Sequence, residues 1–295
     1  MSRPSTPSSR FYTNGELRLH YLEWNSAAAD TVVLVHGINV QAHTWDPIAE
    51  QLAAHRRVIA LDLRGHGLSD WAPDGYNISS FVADLDALLH HLGLLRVDLV
   101  GHSLGARVCI AYAGEHPDLV NRLVLSDTGP EVAAQGGAFS RDIVASTHDV
   151  RGFRDQEAAR AHYERLHPEW QSVFIDLHVE HQLRRNWAGK LVFRADPDLF
   201  WITGSAGRRE NAYLWKMCEH ITAPTLIMWG TRSPFLDESI ASRMLQALPD
   251  GHLARIEAGH YIPREVPDEF TRTLLEFLET PLPPTPKEEG HDHEH

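Results

Sequence analysis

The sequence predicts a layered α/β fold, a mostly parallel central sheet flanked by helices, with a helical segment inserted late in the chain. Three observations predict it. Short, almost wholly apolar runs recur along the chain, as expected of strands covered on both faces. Helical patterns alternate with them, and the connections are long enough for crossovers. The strand signal then stops between residues 131 and 223 and resumes at Thr225.

Taken in order, a loose, polar, proline-containing start precedes two β-rich runs, Glu16 to Trp24 (ELRLHYLEW) and Thr31 to His36 (TVVLVH), which the Asn25 to Asp30 loop separates. Val58 to Asp62, Val97 to Val100, Leu123 to Ser126 and Thr225 to Trp229 follow as short apolar strands ending in polar residues or glycine. HLARIEA, from His252, reads as the last strand. Ile78 to Leu92 shows apolar residues at three- and four-residue steps, and Gly93 is placed to end that helix. The division expected is a core of residues 1–130 and 224–280 and a helical lid of 131–223, which is rich in charge and aromatics, among them Trp170, Trp187, Trp201 and Trp215. A proline-rich, charged tail of 281–295 is expected to be disordered.

A length of 295 residues allows a sizeable core, and 43% hydrophobic with 23% charged residues is the composition of a globular protein. The formal charge of -13 supplies no basic surface for a phosphate backbone, so nucleic acid is not an expected partner. No apolar run reaches the roughly 18 residues of a membrane span, and a cytoplasmic protein, monomeric or homodimeric, is expected. Cys109 and Cys218 are far apart and form no metal or redox spacing. His291, His293 and His295 alternate in the tail without preorganised geometry. Neither a metal nor a cofactor is assigned.

The chemistry is carried by Gly101-His102-Ser103-Leu104-Gly105, which follows one strand and opens a helical run at Ala106. In such an elbow the serine sits on a strained turn, and glycines two positions either side let backbone approach closely. A serine hydroxyl needs a base to remove its proton. Among 20 histidines the best placed is His260, because Ala258-Gly259-His260-Tyr261 follows the last strand and enters the final helix. A tetrahedral oxyanion needs two amide donors, and these are expected from Leu104, after the nucleophile, and Ile38, where Gly37 permits a sharp turn after the Thr31 to His36 strand. His36 reads as a structural hydrogen bonder, and the His102 side chain is expected to point away from Ser103.

With these motifs stand Asn14-Gly15 ahead of LRLHYLEW, HGIN with Trp45 downstream, DLRGHGLSD from Asp62, GHSLGA and AGHYIP. Together they resemble the α/β-hydrolase family over about residues 10 to 280. The resemblance extends to its bacterial carboxylesterase-like members and to a bacterial amide hydrolase. It implies a Ser-His-Asp triad and an acyl-enzyme. Most relatives carry the acid just after the strand matching Thr225 to Trp229, but here Ser233 and Pro234 hold the expected positions, and neither can stabilise an imidazolium. Some members carry it after the strand that follows the nucleophile helix, where this chain has Asp127; Asp237, on the usual loop but late, is the alternative acid. Lid arginines, including Arg154, Arg184, Arg185, Arg208 and Arg209, are possible carboxylate clamps, with surface solvation the more ordinary role. The expected function is hydrolysis of a small or medium ester, amide or lactone, the partner being a small-molecule carbonyl substrate. Alternatives are a carbon-carbon bond hydrolase of the same fold and a non-enzymatic ligand-binding or signalling protein that keeps it.

Overall fold

Val32 to Val35 show how the sheet assembles: Val33 and Val35 face one hydrophobic cluster while Val32 and Leu34 face another, and all four are fully buried. A run with no polar position can therefore sit only between two layers. Each such side chain contributes about 1.5–3 kcal/mol by leaving water. The computed structural model describes residues 6–136, 152–203 and 208–281. The expected tail from residue 282, with His291, His293 and His295, lies outside the described residues, as does part of the expected lid.

The strands are β1 (Ser8–Asn14), β2 (Leu17–Trp24), β3 (Thr31–Val35), β4 (Arg57–Leu61), β5 (Val97–His102), β6 (Val120–Ser126), β9 (Thr225–Gly230) and β10 (Gly251–Ile256). They form one sheet in the order β1-β2-β4-β3-β5-β6-β9-β10. β2 is antiparallel to both neighbours, and the pairs from β4 through β10 are parallel. β1 has no counterpart in the sequence reading. It is a polar, mostly exposed edge strand, held in register by pairing Ser8↔Glu23 through Asn14↔Leu17 around the turn at Gly15, where φ is 60°.

Helices α1 (Asp46–Leu52) and, near the C-terminus, Pro267–Glu279 cover one face, burying Ile48, Phe270 and Leu274. α2 (Ile78–His91) and α3 (Leu104–Glu115) cover the other. Asn77 caps α2 by accepting from the Ser80 N–H, and Gly93, at φ 64°, follows its end. Between β6 and β9 lie α4 (Gln156–Leu166), α5 (Ser172–His181), the hairpin β7 (Leu183–Arg185) and β8 (Leu191–Phe193), and α6 (Asn211–His220). The hairpin falls where the sequence offers no strand signal: each strand has three residues, too few for periodicity to register.

Two kinds of packing divide this insertion. Tyr163, Trp170, Ile175, Val179, Leu183 and Leu191 form a separate small cluster, whereas Leu214 and Cys218 of α6 are fully buried in the main core. A Cβ on Gly114 of α3 would lie 2.6 Å from the Met217 carbonyl, so α3 and α6 approach as closely as backbone allows. Trp215 is buried with the core and Trp187 is fully exposed; composition alone does not separate these fates. α7 (Glu238–Ala247) follows β9, the short α8 (Ile262–Glu265) follows β10, and Pro267–Glu279 is α9.

Candidate active site

Parallel strands of matched register end together, and the candidate residues stand at those ends. Val35 pairs with Gly101 and His102 with Ser126. The loops carrying Ile38, Ser103 and Asp127 therefore leave neighbouring strands side by side. His260 comes from the loop after β10, at the far edge.

Four non-glycine residues of the described chain have positive φ, and three of them are here: Asn39 (57°), Ser103 (54°) and Asp127 (54°). Strain of this kind, of order 1–3 kcal/mol per residue, persists only where surroundings impose it. At Ser103 they do. A Cβ on Gly101 would lie 2.5 Å from the Gly105 carbonyl oxygen, and one on Gly105 would lie 2.1 Å from that of Val35. The turn from β5 into α3 is thus closed to side chains at both flanking positions, and Ser103 stands out of it at the start of α3.

His260 Nδ1 lies 2.7 Å from Asp127 Oδ2, and His260 Nε2 lies 3.0 Å from Ser103 Oγ. With the Nδ1–H donated to the carboxylate, Nε2 is left to accept from the hydroxyl. Phe235 stacks on the imidazole at 3.8 Å between centroids, which fixes its plane. Ser103, Asp127 and His260 are all buried. Burial, and after it the charge of Arg264, lowers His260 to about 3, so the imidazole is neutral near pH 7.

Asp127 Oδ1 accepts from the Gly230 N–H at 2.9 Å, and the Ser233 hydroxyl donates to Oδ2. Burial pushes the Asp127 carboxyl up and these two hydrogen bonds oppose the rise. Ser233 also accepts from the Phe235 N–H at 3.0 Å, which fixes its lone pair and leaves its proton for the carboxylate. The sequence reading dismissed Ser233 as unable to stabilise an imidazolium. It touches the carboxylate instead of the imidazole, and its occupancy of the usual acid position was the available signal. Asp237 is elsewhere engaged: it caps α7, accepting from the Ile240 N–H at 2.9 Å.

His36 has the structural role expected of it: its Nδ1 donates to the Gly37 carbonyl at 2.7 Å and its Nε2 accepts from the Leu63 N–H at 3.0 Å. Asp62 secures the same loop, with Oδ1 accepting from the Ala42 N–H at 2.6 Å. Ile38 is partly buried within it, and a Cβ on Gly37 would lie 3.0 Å from that of Ser103. Leu104 is the first residue of α3. His102 Nδ1 lies 3.4 Å from the Ser126 hydroxyl, and its ring lies 4.9 Å from that of His260.

The arginines of the insertion singled out by sequence are exposed; Arg154 pairs with Asp155, and Arg185 donates to the Gly189 carbonyl. Four arginines of the described residues are buried, Arg64, Arg107, Arg122 and Arg264, and the one next to the base in sequence is Arg264, whose neighbours read as an ordinary helix start. It stands one helical turn after His260 and donates from Nε (3.0 Å) and from one terminal nitrogen (2.7 Å) to Thr44 Oγ1. The insertion closes over this corner: Trp170 lies 5.1 Å from Tyr261 between centroids, and the Gln171 N–H donates to the Arg264 carbonyl. Among the described residues one group has metal-ligand composition, His43, Asp46 and His181, with donor atoms within 4.8 Å of one another. Its two imidazoles are stacked, 3.7 Å between centroids, at the junction of α5 and the turn before α1.

No helix among the described residues is long and apolar enough to cross a membrane. Residues 30–265 match the family model described as the alpha/beta hydrolase fold. The chain is 26% identical to 2-(acetamidomethylene)succinate hydrolase of Mesorhizobium japonicum, the match covering 92% of this chain and 95% of that one. It is 29% identical to N-formylmaleamate deformylase of Pseudomonas putida, over 90% and 94% of the two chains. The crystal structure of E-2-(acetamidomethylene)succinate hydrolase superposes with a TM-score of 0.84 at 26% identity, covering 92% of this chain and 99% of that one. The chain therefore belongs to the α/β-hydrolase fold family, and it is a hydrolase.

Proposed function

We propose that this hydrolase cleaves a small or medium ester, amide or lactone through an acyl-enzyme formed on Ser103, with His260 as general base and Asp127 as the acid that orients it. The observation that carries the reading is the unbroken chain from Ser103 Oγ through His260 to Asp127, at 3.0 and 2.7 Å. Ser103 attacks the carbonyl carbon as its proton passes to His260 Nε2. The imidazolium so formed is stabilised by Asp127, which keeps its own charge. The amides of Leu104 and Ile38 are assigned to the oxyanion, one at the first turn of α3, the other on the neighbouring loop. His260 returns its proton to the leaving group, and water, activated by the same imidazole, releases the acyl group.

The insertion is proposed to act as the lid, since its own cluster packs Tyr261 against Trp170 next to the base. An amide is favoured over a carbon-carbon bond by the relatives' names, which specify an acetamido-bearing succinate and the removal of a formyl group from N-formylmaleamate. A serine-directed fluorophosphonate tests the reading, together with turnover of 4-nitrophenyl esters. Labelling and turnover that both vanish in Ser103→Ala, with turnover down at least about 10⁴-fold, are expected. Labelling that persists in the variant would assign the nucleophile elsewhere, and a wild type that neither labels nor turns over would favour a binding protein.

A further inference from the structure

A guanidinium withdrawn from water costs several kcal/mol unless an anion faces it. Arg264 is only 5% exposed, and no carboxylate of the described residues faces it. Its neighbour Glu265 is committed to the Gly259 and Tyr261 N–H groups and to Arg232, and Glu169 pairs with His167. What Arg264 has is neutral: the Thr44 hydroxyl, the Trp170 ring 4.2 Å from its central carbon, and the Tyr261 ring at 5.5 Å. One terminal nitrogen, Nη1, is buried with no hydrogen-bond partner among the described residues. Burial lowers the group to about 10, which still leaves it charged. Nor is it alone, for the Trp170 indole N–H and His178 Nε2 are also buried without partners among the described residues, with the two rings 5.7 Å apart. His178 is held neutral by its burial and then by the charge of Arg264.

The location matters as much as the vacancy of partners. Thr44 belongs to the segment that follows the Ile38 loop, and Arg264 lies four residues beyond His260, so the guanidinium ties the segment after β3 to the segment after β10, the two that carry Ile38 and His260. Its positive charge is felt at both His260 and His102. A buried guanidinium nitrogen without an acceptor, in a group whose charge acts on the base, calls for an explanation, and an anion is the partner that suits it.

We propose that Arg264, oriented by Thr44 and stacked on Trp170, binds a carboxylate of the substrate, so that the hydrolase acts on esters or amides carrying an ionised carboxyl group a few bonds from the scissile carbonyl. This rests on the serine-hydrolase reading and names its substrate class. Arg264 is a binding residue; it takes no part in proton transfer.

The test compares kcat/KM for two 4-nitrophenyl esters of matched length, the glutarate monoester, which carries a carboxylate, and the neutral pentanoate. Wild type is expected to prefer the glutarate monoester at least about 10-fold, and Arg264→Met to lower that ratio about 10- to 100-fold, chiefly through KM, the worth of one or two charge-assisted hydrogen bonds. Thr44→Val, which removes only the orienting hydroxyl, should lower the ratio a fewfold in the same direction, and it serves if Arg264→Met does not fold. A ratio that neither variant changes, including a parallel loss on both esters, would make Arg264 a tether between insertion and core and overturn the proposal. If neither ester shows Ser103-dependent turnover, the serine-hydrolase reading fails separately. Calorimetric titration of glutarate into the full chain then decides the subsite: binding lost in Arg264→Met upholds it, and no binding to wild type overturns it.

Discussion

Two buried ionisable groups, Asp127 and Arg264, are treated by the chain in opposite ways. Asp127 is surrounded: Gly230, Ser233 and His260 all donate to it. Arg264 meets one hydroxyl and two aromatic faces and keeps a buried nitrogen without a partner among the described residues. The first stands at the carboxyl end of an interior strand, where the β6–β9 pairing brings the Gly230 amide to it and the loops after β9 and β10 add Ser233 and His260. The second lies where the insertion meets the core, and there the structure leaves donors in excess. On the proposed reading, the satisfied centre serves the chemistry and the unsatisfied one serves recognition.

The comparison breaks most visibly at Asp127. Asp127→Asn is expected to lower kcat about 10³- to 10⁴-fold, because an amide facing Nδ1 favours the wrong imidazole tautomer. Asp237→Asn should leave it within about twofold, since asparagine caps a helix as well as aspartate does. Losses of the opposite ranking, measured on the same ester, would return the acid to the β9 loop.

Protons probe the same contrast. His66, His102, His178 and His260 are buried, and burial lowers each below the ordinary 6.5, His66 and His260 to about 3. In that window the unfolded chain binds protons that the folded chain refuses, so stability is complete above about pH 6.5 and falls as the pH drops toward the folded values. Thermal unfolding should show Tm lower by at least about 5 °C at pH 5 than at pH 7.5. A Tm independent of pH across that interval would mean that these imidazoles gain a proton without cost.

The smallest effect sharpens the picture of Asp127 itself. Ser233→Ala removes one donor and leaves the Gly230 and His260 contacts, so kcat is expected to fall about 3- to 30-fold, the equivalent of about 0.7 to 2 kcal/mol for one hydrogen bond. A loss as large as that of Asp127→Asn would place Ser233 in the machinery rather than in its support.

Much of this was legible in the sequence. GHSLG between an apolar strand and a helical run placed Ser103 at a turn only glycine neighbours allow, and AGHY after the last strand singled out His260. Periodicity located the central strands because both of their faces are buried, which leaves no polar position to mislead. Asp127 was legible only in part, as one of two carboxylates on plausible loops; β6 and β9 pair in register, and that pairing brings the Gly230 amide and Ser233 hydroxyl to the first of them.

What the sequence by itself determined is therefore local: which runs are strands, which serine stands on the strained turn, and which histidine follows the final strand. Each is set by backbone sterics or by the alternation of apolar and polar side chains within a few residues. Tertiary structure alone decided that Ser233 serves an aspartate 106 positions away, that α6 joins the core while α4 and α5 form a cluster of their own, and that Arg264 is buried without a carboxylate. Those outcomes depend on which surfaces meet and which donors are left over when they do, and hydrogen-bond satisfaction is a property of the packed whole.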